Sequence, residues 1–248
     1  MMLRKAAGPA VLALVLPLAG CGGEDGHATI TVLAAASLTG TFTELADRFE
    51  QDHDGVQVKL AFDSSATLAQ QALDGAPADV LATADTATMD SAGDALDSDP
   101  EPFATNTMVL VAPADNPAGI TGFDDLVAGD VSFVVCVDTA PCGKVAAALL
   151  ADNTVTTDPA SLEVDVKAVL AKVTSGEADA GIVYATDAVA AGDAVRVFDI
   201  PHADEEVTSY PIATLAQSGD ADLAQQFVDL VLSDGGRQVL ADAGFGSP

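Results

Sequence analysis

This chain has no tryptophan, two tyrosines and nine phenylalanines in 248 residues. A sugar site built from stacked aromatic platforms has almost nothing to draw on. Bases are scarce too: 9 Lys and Arg stand against 38 Asp and Glu, a net charge of −29. So acidic a surface opposes binding to nucleic acid or to anionic lipid headgroups. Cysteine is limited to Cys21, Cys136 and Cys142, and the three histidines, His27, His53 and His202, are scattered. Two cysteines without a clustered His pair do not complete a tetrahedral zinc site. Five residues separate Cys136 from Cys142, unlike the two of a CxxC redox motif, which makes an exported thiol-redox enzyme a weak alternative. The acids fall into neither an HExxH nor a DxDxDG pattern, so a metal-dependent hydrolase has no motif behind it. No catalytic residue, metal ligand or cofactor is expected. After the first 21 residues no apolar run approaches the length of a membrane span. Internal repeats, low-complexity blocks and heptads are missing as well.

What is present begins with an export signal. Arg4 and Lys5 precede an apolar run interrupted by Pro9 and Pro17, and Leu18-Ala19-Gly20-Cys21 follows. Charged, apolar and small-residue regions in that order read as a secretory signal over residues 1–20. Leu18–Cys21 also resembles the bacterial lipobox. That resemblance implies cleavage before Cys21, lipidation of its sulfur, and a mature protein held outside the cytoplasmic membrane by a lipid anchor only. Residues 21–28, with Gly22, Gly23 and Gly26, serve as a tether.

Beyond the tether, strand-like runs alternate with helix-like runs. Thr29–Ala34, Val56–Phe62, Asp79–Ala84, Thr107–Pro113, Val131–Val137, Ala180–Ala185 and Val195–Phe198 read as strands. Leu38, Phe42, Leu45, Ala46 and Phe49 carry helical spacing, and Thr67–Leu73, Val145–Ala151, Leu162–Thr174, Ala221–Leu232 and Gly235–Ala243 read as helices. The alternation predicts an α/β architecture with largely parallel sheets. In such sheets ligands bind where strands end and helices begin.

Those junctions share a chemistry. Ala34–Leu38 ends a strand at Ser37, and Phe62–Leu68 does so at Ser64 and Ser65. Thr139–Lys144 offers Pro141, Cys142 and Gly143 at a helix start, Val164–Lys167 opens another helix, and Tyr184 closes a strand. A serine at such a place is first of all a helix cap. Taken together the junctions supply hydroxyls, a phenol and helix N-termini, all of which donate hydrogen bonds. That set suits a tetrahedral oxyanion, which as a dianion only accepts them. Bonds to a charged acceptor are about twice as strong as neutral ones, so several donors offset the anion's desolvation without a salt bridge.

Seven stretches then resemble one family in the right order along the mature chain: AAASL (Ala34–Leu38), SSATLAQQ (Ser64–Gln71), GAPADV (Gly75–Val80), ATADTATMD (Ala82–Asp90), NTMVLVAP (Asn106–Pro113), DVKAVLAKV (Asp165–Val173) and GIVYATDA (Gly181–Ala188). The sequence is similar to the periplasmic molybdate-binding proteins of ABC importers. The resemblance implies a two-lobed periplasmic-binding-protein type II fold with the ligand cleft between the lobes. Residues 29–105 and 205–248 would form lobe 1 and residues 106–204 lobe 2, with crossings near Asn106 and between Phe198 and Tyr210. It implies capture of molybdate, and of tungstate, by a monomer that delivers the ion to a membrane permease. Sulfate or another tetrahedral oxyanion is the alternative within the binding class. By position, the ligand serines fall on Ser37 and Ser65, the ligand tyrosine on Tyr184, and the purely backbone donors on Cys142 and Val166. Asp63, just ahead of a ligand serine, is expected to point away along the strand or to cap the next helix. Lys144 is expected to be a surface lysine of its helix. Export places Cys136 and Cys142 in an oxidising compartment, where a disulfide across the intervening turn is expected.

Overall fold

The structure, a computed structural model, describes residues 28–248. The signal segment, Cys21 and nearly all of the tether lie outside the described residues. The chain runs β1 (Ala28–Ala35), α1 (Thr39–Asp52), β2 (Val56–Asp63), α2 (Ser65–Leu73), β3 (Val80–Ala82), α3 (Thr86–Ser91) and β4 (Glu101–Asn106). It continues with β5 (Met108–Pro113), α4 (Asp125–Ala128), β6 (Phe133–Cys136), α5 (Pro141–Asp152), β7 (Ser161–Glu163), α6 (Val166–Thr174), β8 (Ala180–Tyr184), α7 (Ala185–Ala191) and β9 (Val195–Phe198). β10 (Thr208–Thr214), α8 (Ala221–Leu232) and α9 (Asp234–Asp242) complete it.

Two five-stranded sheets result, ordered β2-β1-β3-β10-β4 and β7-β6-β8-β5-β9. Each is mixed rather than largely parallel. β1 pairs in parallel with β2 and β3, and β6 with β7 and β8. β10 runs antiparallel to β3 and β4, and β5 antiparallel to β8 and β9. The physical reason lies in how β5 and β10 arrive. Each enters its sheet directly from the other one, with no crossover helix before it, so nothing forces it parallel to its neighbours. The chain leaves the first sheet at Asn106 and enters the second at Met108; it leaves again after Phe198 and returns at Thr208.

Apolar periodicity becomes packing in the usual way. Phe42, Leu45 and Phe49 share one buried face of α1, and Phe42 and Phe49 meet Phe227 of α8 with ring centroids 6.0 and 5.5 Å apart. Burying each such ring stabilises the fold by about 1.5–3 kcal/mol. Side chains cap four helices: Asp85 accepts from Thr88 N, Asp165 from Ala168 N, Asp220 from Leu223 N and Ser233 from Gly236 N. The starts of α2 and α5 carry no side-chain cap. Their first N–H groups, which have no partner inside the helix, remain available.

Strands β4 and β10 were not read from the sequence, and one helix is shorter than read. Leu162 and Glu163 belong to edge strand β7, and α6 begins only at Val166, because Asp165 caps the helix there. α5 begins at Pro141, as the junction reading placed it and ahead of the Val145–Ala151 run, since proline's fixed φ suits a helix's first turn. No described helix is long and apolar enough to cross a membrane.

Candidate functional site

Ser37, Ser65, Cys142, Val166 and Tyr184 all line one small cavity between the two sheets' helix N-termini. Its volume is about 20 Å³, far below the roughly 300–1,000 Å³ of pockets for drug-sized ligands, so the ligand must be small. The first sheet contributes the ends of β1 and β2, and the second contributes the starts of α5 and α6 and the end of β8. No Lys or Arg among the described residues lines the cavity.

Each donor is set by its local structure. Ser37 sits in a single 3-10 turn, Ala36–Leu38, that joins β1 to α1. Its Oγ lies 3.0 Å from the hydroxyl of Tyr210. Ser65 opens α2, and its Oγ accepts the N–H of Ala84 at 2.9 Å, which leaves its own proton to give. Cys142 is the second residue of α5 and Val166 the first of α6, so their N–H groups belong to helix N-termini, where the helix dipole favours an anion.

Tyr184 is 1% exposed, and its hydroxyl makes no hydrogen bond within the protein. Burial, reinforced by the neighbouring Tyr210, Asp187 and Asp85, pushes this phenol well above its usual 10, so it stays protonated and can donate. A buried polar atom left without a partner costs roughly 1–3 kcal/mol, so this orphaned hydroxyl, in the wall of a cavity of donors, marks where an acceptor belongs.

The Sγ atoms of Cys136 and Cys142 are bonded, with the two Cα atoms 5.8 Å apart. The bridge ties the end of β6 to the first turn of α5. Gly143 is required beside it: a Cβ there would lie 1.8 Å from the Val137 carbonyl oxygen. Bridge and glycine together press the start of α5 against the strand it follows, which fixes where the Cys142 amide lies.

Asp63 is among the residues lining the cavity, and its Oδ1 accepts the N–H of Ser64, the residue that leads into α2, at 2.6 Å, close to the expected capping role. The turn from β2 into α2 leaves Ser64 N–H without a helical partner, and the preceding carboxylate folds back to take it. Lys144 is not simply a surface lysine of α5. Its Nζ reaches Asp85 Oδ2 at 2.9 Å and Thr88 Oγ1 at 3.4 Å, at the start of α3. The pair spans the cleft from one sheet's helices to the other's.

Other contributors were not legible as site residues. Tyr210 and Asn106 back Ser37, with Asn106 Nδ2 3.4 Å from the Tyr210 hydroxyl. The available signal was rarity, since Tyr210 is one of two tyrosines in an aromatic-poor chain. Lys167 Nζ lies 2.6 Å from Asp187 Oδ1, an ion pair between α6 and α7. Burial raises the Asp187 carboxyl above its ordinary range, and Lys167 opposes that rise.

Residues 30–246 match the family model described as bacterial extracellular solute-binding protein. The chain belongs to that family. This solute-binding protein is 42% identical, over 92% of its own length and 88% of its relative's, to the molybdate-binding protein ModA of Mycobacterium tuberculosis. The periplasmic molybdate-binding protein of Azotobacter vinelandii superposes with a TM-score of 0.78 at 20% identity, covering 88% of this chain and 99% of that one. The sulfate-binding protein SubI of Mycobacterium tuberculosis gives 0.76 at 21%, covering 88% and 86%. At those identities the two structures establish the two-lobed fold of this solute-binding protein and nothing finer. The family description puts its members outside the cell and names them solute-binding proteins.

Proposed function

We propose that this protein captures molybdate, and tungstate with it, and delivers the ion to the permease of an ABC importer. The observation that carries the reading is the cavity itself. Two serine hydroxyls, one unpartnered buried phenol and two helix N-termini converge on a cavity of about 20 Å³ that no described Lys or Arg lines. Such a set favours an ion that only accepts hydrogen bonds and is small enough to be enclosed. The 42% identity to a molybdate-binding protein over most of both chains supports molybdate as that ion.

Ser37 and Ser65 donate their hydroxyls, Tyr184 its phenol, and Cys142 and Val166 their backbone N–H groups. No bond is made or broken, so the function is capture and release. The lobes close over the ion as hinged binding proteins do, and the Lys144–Asp85 pair holds the closed arrangement. Lipidation of Cys21 keeps the monomer beside its permease.

Tyr184 lines the cavity, Tyr210 packs edge-on against it, and the chain has no tryptophan to mask them. Tyrosine emission titrated with molybdate should therefore change saturably and stoichiometrically. Emission that stays flat while the protein is shown to be folded would count against the proposal.

A further inference from the structure

Ser37 is connected to a buried chain of polar groups that leads away from the cavity. Its Oγ lies 3.0 Å from the Tyr210 hydroxyl on β10. Behind Tyr210 stands Asn106, the last residue of β4, whose Nδ2 is 3.4 Å from that hydroxyl and 2.8 Å from Thr186 Oγ1. Asn106 Oδ1 accepts the backbone N–H of Thr107 at 3.0 Å. Ser37, Tyr210, Asn106 and Thr186 are all buried.

Counting protons gives this chain a direction. A backbone N–H can only donate, so the Thr107 amide fixes which end of Asn106 is its carbonyl. The amide NH₂, which also only donates, then faces Tyr210 and Thr186. The Tyr210 oxygen accepts from Asn106, and among the described residues Ser37 Oγ is the acceptor that meets hydrogen-bond geometry with its one proton, the neighbouring Tyr184 hydroxyl making no such bond. The reverse setting would strand a buried phenol proton, which is costly. Having accepted, Ser37 Oγ keeps its own proton, which no described protein group takes, so it is free for an acceptor in the cavity that Ser37 lines. Ser65 is set in the same way by a different group, the Ala84 N–H.

We infer that Tyr210, which does not line the cavity, is a positioning residue that fixes Ser37 as a hydrogen-bond donor, its polarity set by Asn106 and the Thr107 amide where the chain crosses between the sheets. A serine free to rotate can turn its proton anywhere, whereas one that accepts from Tyr210 keeps its proton free for the anion. The inference rests on the oxyanion reading of the site. It also gives the crossing at Asn106 a part in ligand choice that its distance from the cavity conceals.

The test is a double-mutant cycle with a structural readout beside it. Tyr210→Phe keeps the ring that packs edge-on against Phe103, Tyr184 and Phe245 and removes only the hydroxyl. The wild-type protein is first titrated with molybdate, tungstate, sulfate and phosphate, and the tightest of these is carried through the variants. Tyr210→Phe should weaken binding about three- to tenfold, the range of one net hydrogen bond. Ser37→Ala should weaken it about ten- to 150-fold, and the double variant no further, since Tyr210 acts only through Ser37. An unchanged Tyr210→Phe affinity, or effects that simply multiply, would overturn the inference. Neutron diffraction from deuterated wild-type crystals reads the protons directly and needs no variant to fold. A deuteron on Tyr210 aimed at Ser37 Oγ upholds the assignment; one on Ser37 aimed at Tyr210 ends it. If sulfate proves the tightest ligand, the molybdate reading fails while the cycle proceeds with sulfate. If none of the four binds, the oxyanion reading fails and the neutron map still decides the direction of the chain.

Discussion

Replacing Tyr184 by Phe should move affinity and stability in opposite directions. The ring is 1% exposed and meets Tyr210 edge-on with centroids 5.9 Å apart, contacts that phenylalanine keeps. Only the hydroxyl is lost, and it has no hydrogen-bond partner in the protein. An unpaired buried donor costs about 1–3 kcal/mol, so its removal should leave the ligand-free protein unchanged or more stable by up to about 1 kcal/mol. The bound state instead loses a hydrogen bond to a charged acceptor, worth about 1.5–3 kcal/mol, or about ten- to 150-fold in Kd. Because burial holds the phenol well above its usual 10, its proton is not lost as pH rises from 7 to 9, and this group should add no pH dependence there. Calorimetric titration with molybdate gives the affinity, and urea melts with and without molybdate give the stability. Unchanged affinity, or a ligand-free variant clearly less stable than wild type, would refute the reasoning that treats this hydroxyl as reserved for the anion.

Other expectations follow from the same geometry. Ser37→Ala with Ser65→Ala should weaken molybdate binding by several kcal/mol, about 1.5–3 for each lost bond to the anion, as equilibrium binding would show. Lys144→Gln removes the pair to Asp85; with the lysine 44% exposed, the effect should be about two- to fivefold in Kd and should shrink in high salt, which titrations at two ionic strengths can check. Replacing Cys136 and Cys142 together by alanine opens a loop with a sequence separation of 6 and should cost about 2 kcal/mol of stability in chemical denaturation. Lys167→Met strands the buried Asp187 carboxylate and should cost about 3 kcal/mol at pH 7. The folded carboxyl then binds its proton more tightly than the unfolded one at 3.8, so stability falls as pH rises above that value. The loss should fade as the pH is lowered toward 4, and melts across that window would show whether it does.

How much of this was written in the sequence varies by element. The strand-to-helix junctions were legible because each combines an apolar run with small hydroxyl or helix-starting residues, and Ser37, Ser65, Cys142, Val166 and Tyr184 all sit at them. β4 and β10 were not, because each carries a proline, Pro102 and Pro211, that argues against a strand. Pro102 is tolerated at a sheet edge, and Pro211 falls where the pairing of β10 with β4 shifts register. Strand direction was misread because alternation describes successive elements, whereas β5 and β10 come from the opposite sheet. The partners of Ser37 lie 69 and 173 positions along the chain, at Asn106 and Tyr210, and only folding brings them together. Lys144 and Asp85, 59 residues apart, meet for the same reason.

The most direct measurement is isothermal titration calorimetry of the chain from residue 28 onward with molybdate, tungstate, sulfate and phosphate in turn. One-to-one binding of molybdate and tungstate, both far tighter than sulfate or phosphate, is the expected result. A preference for sulfate, or no heat with molybdate from folded protein, would contradict the proposed function.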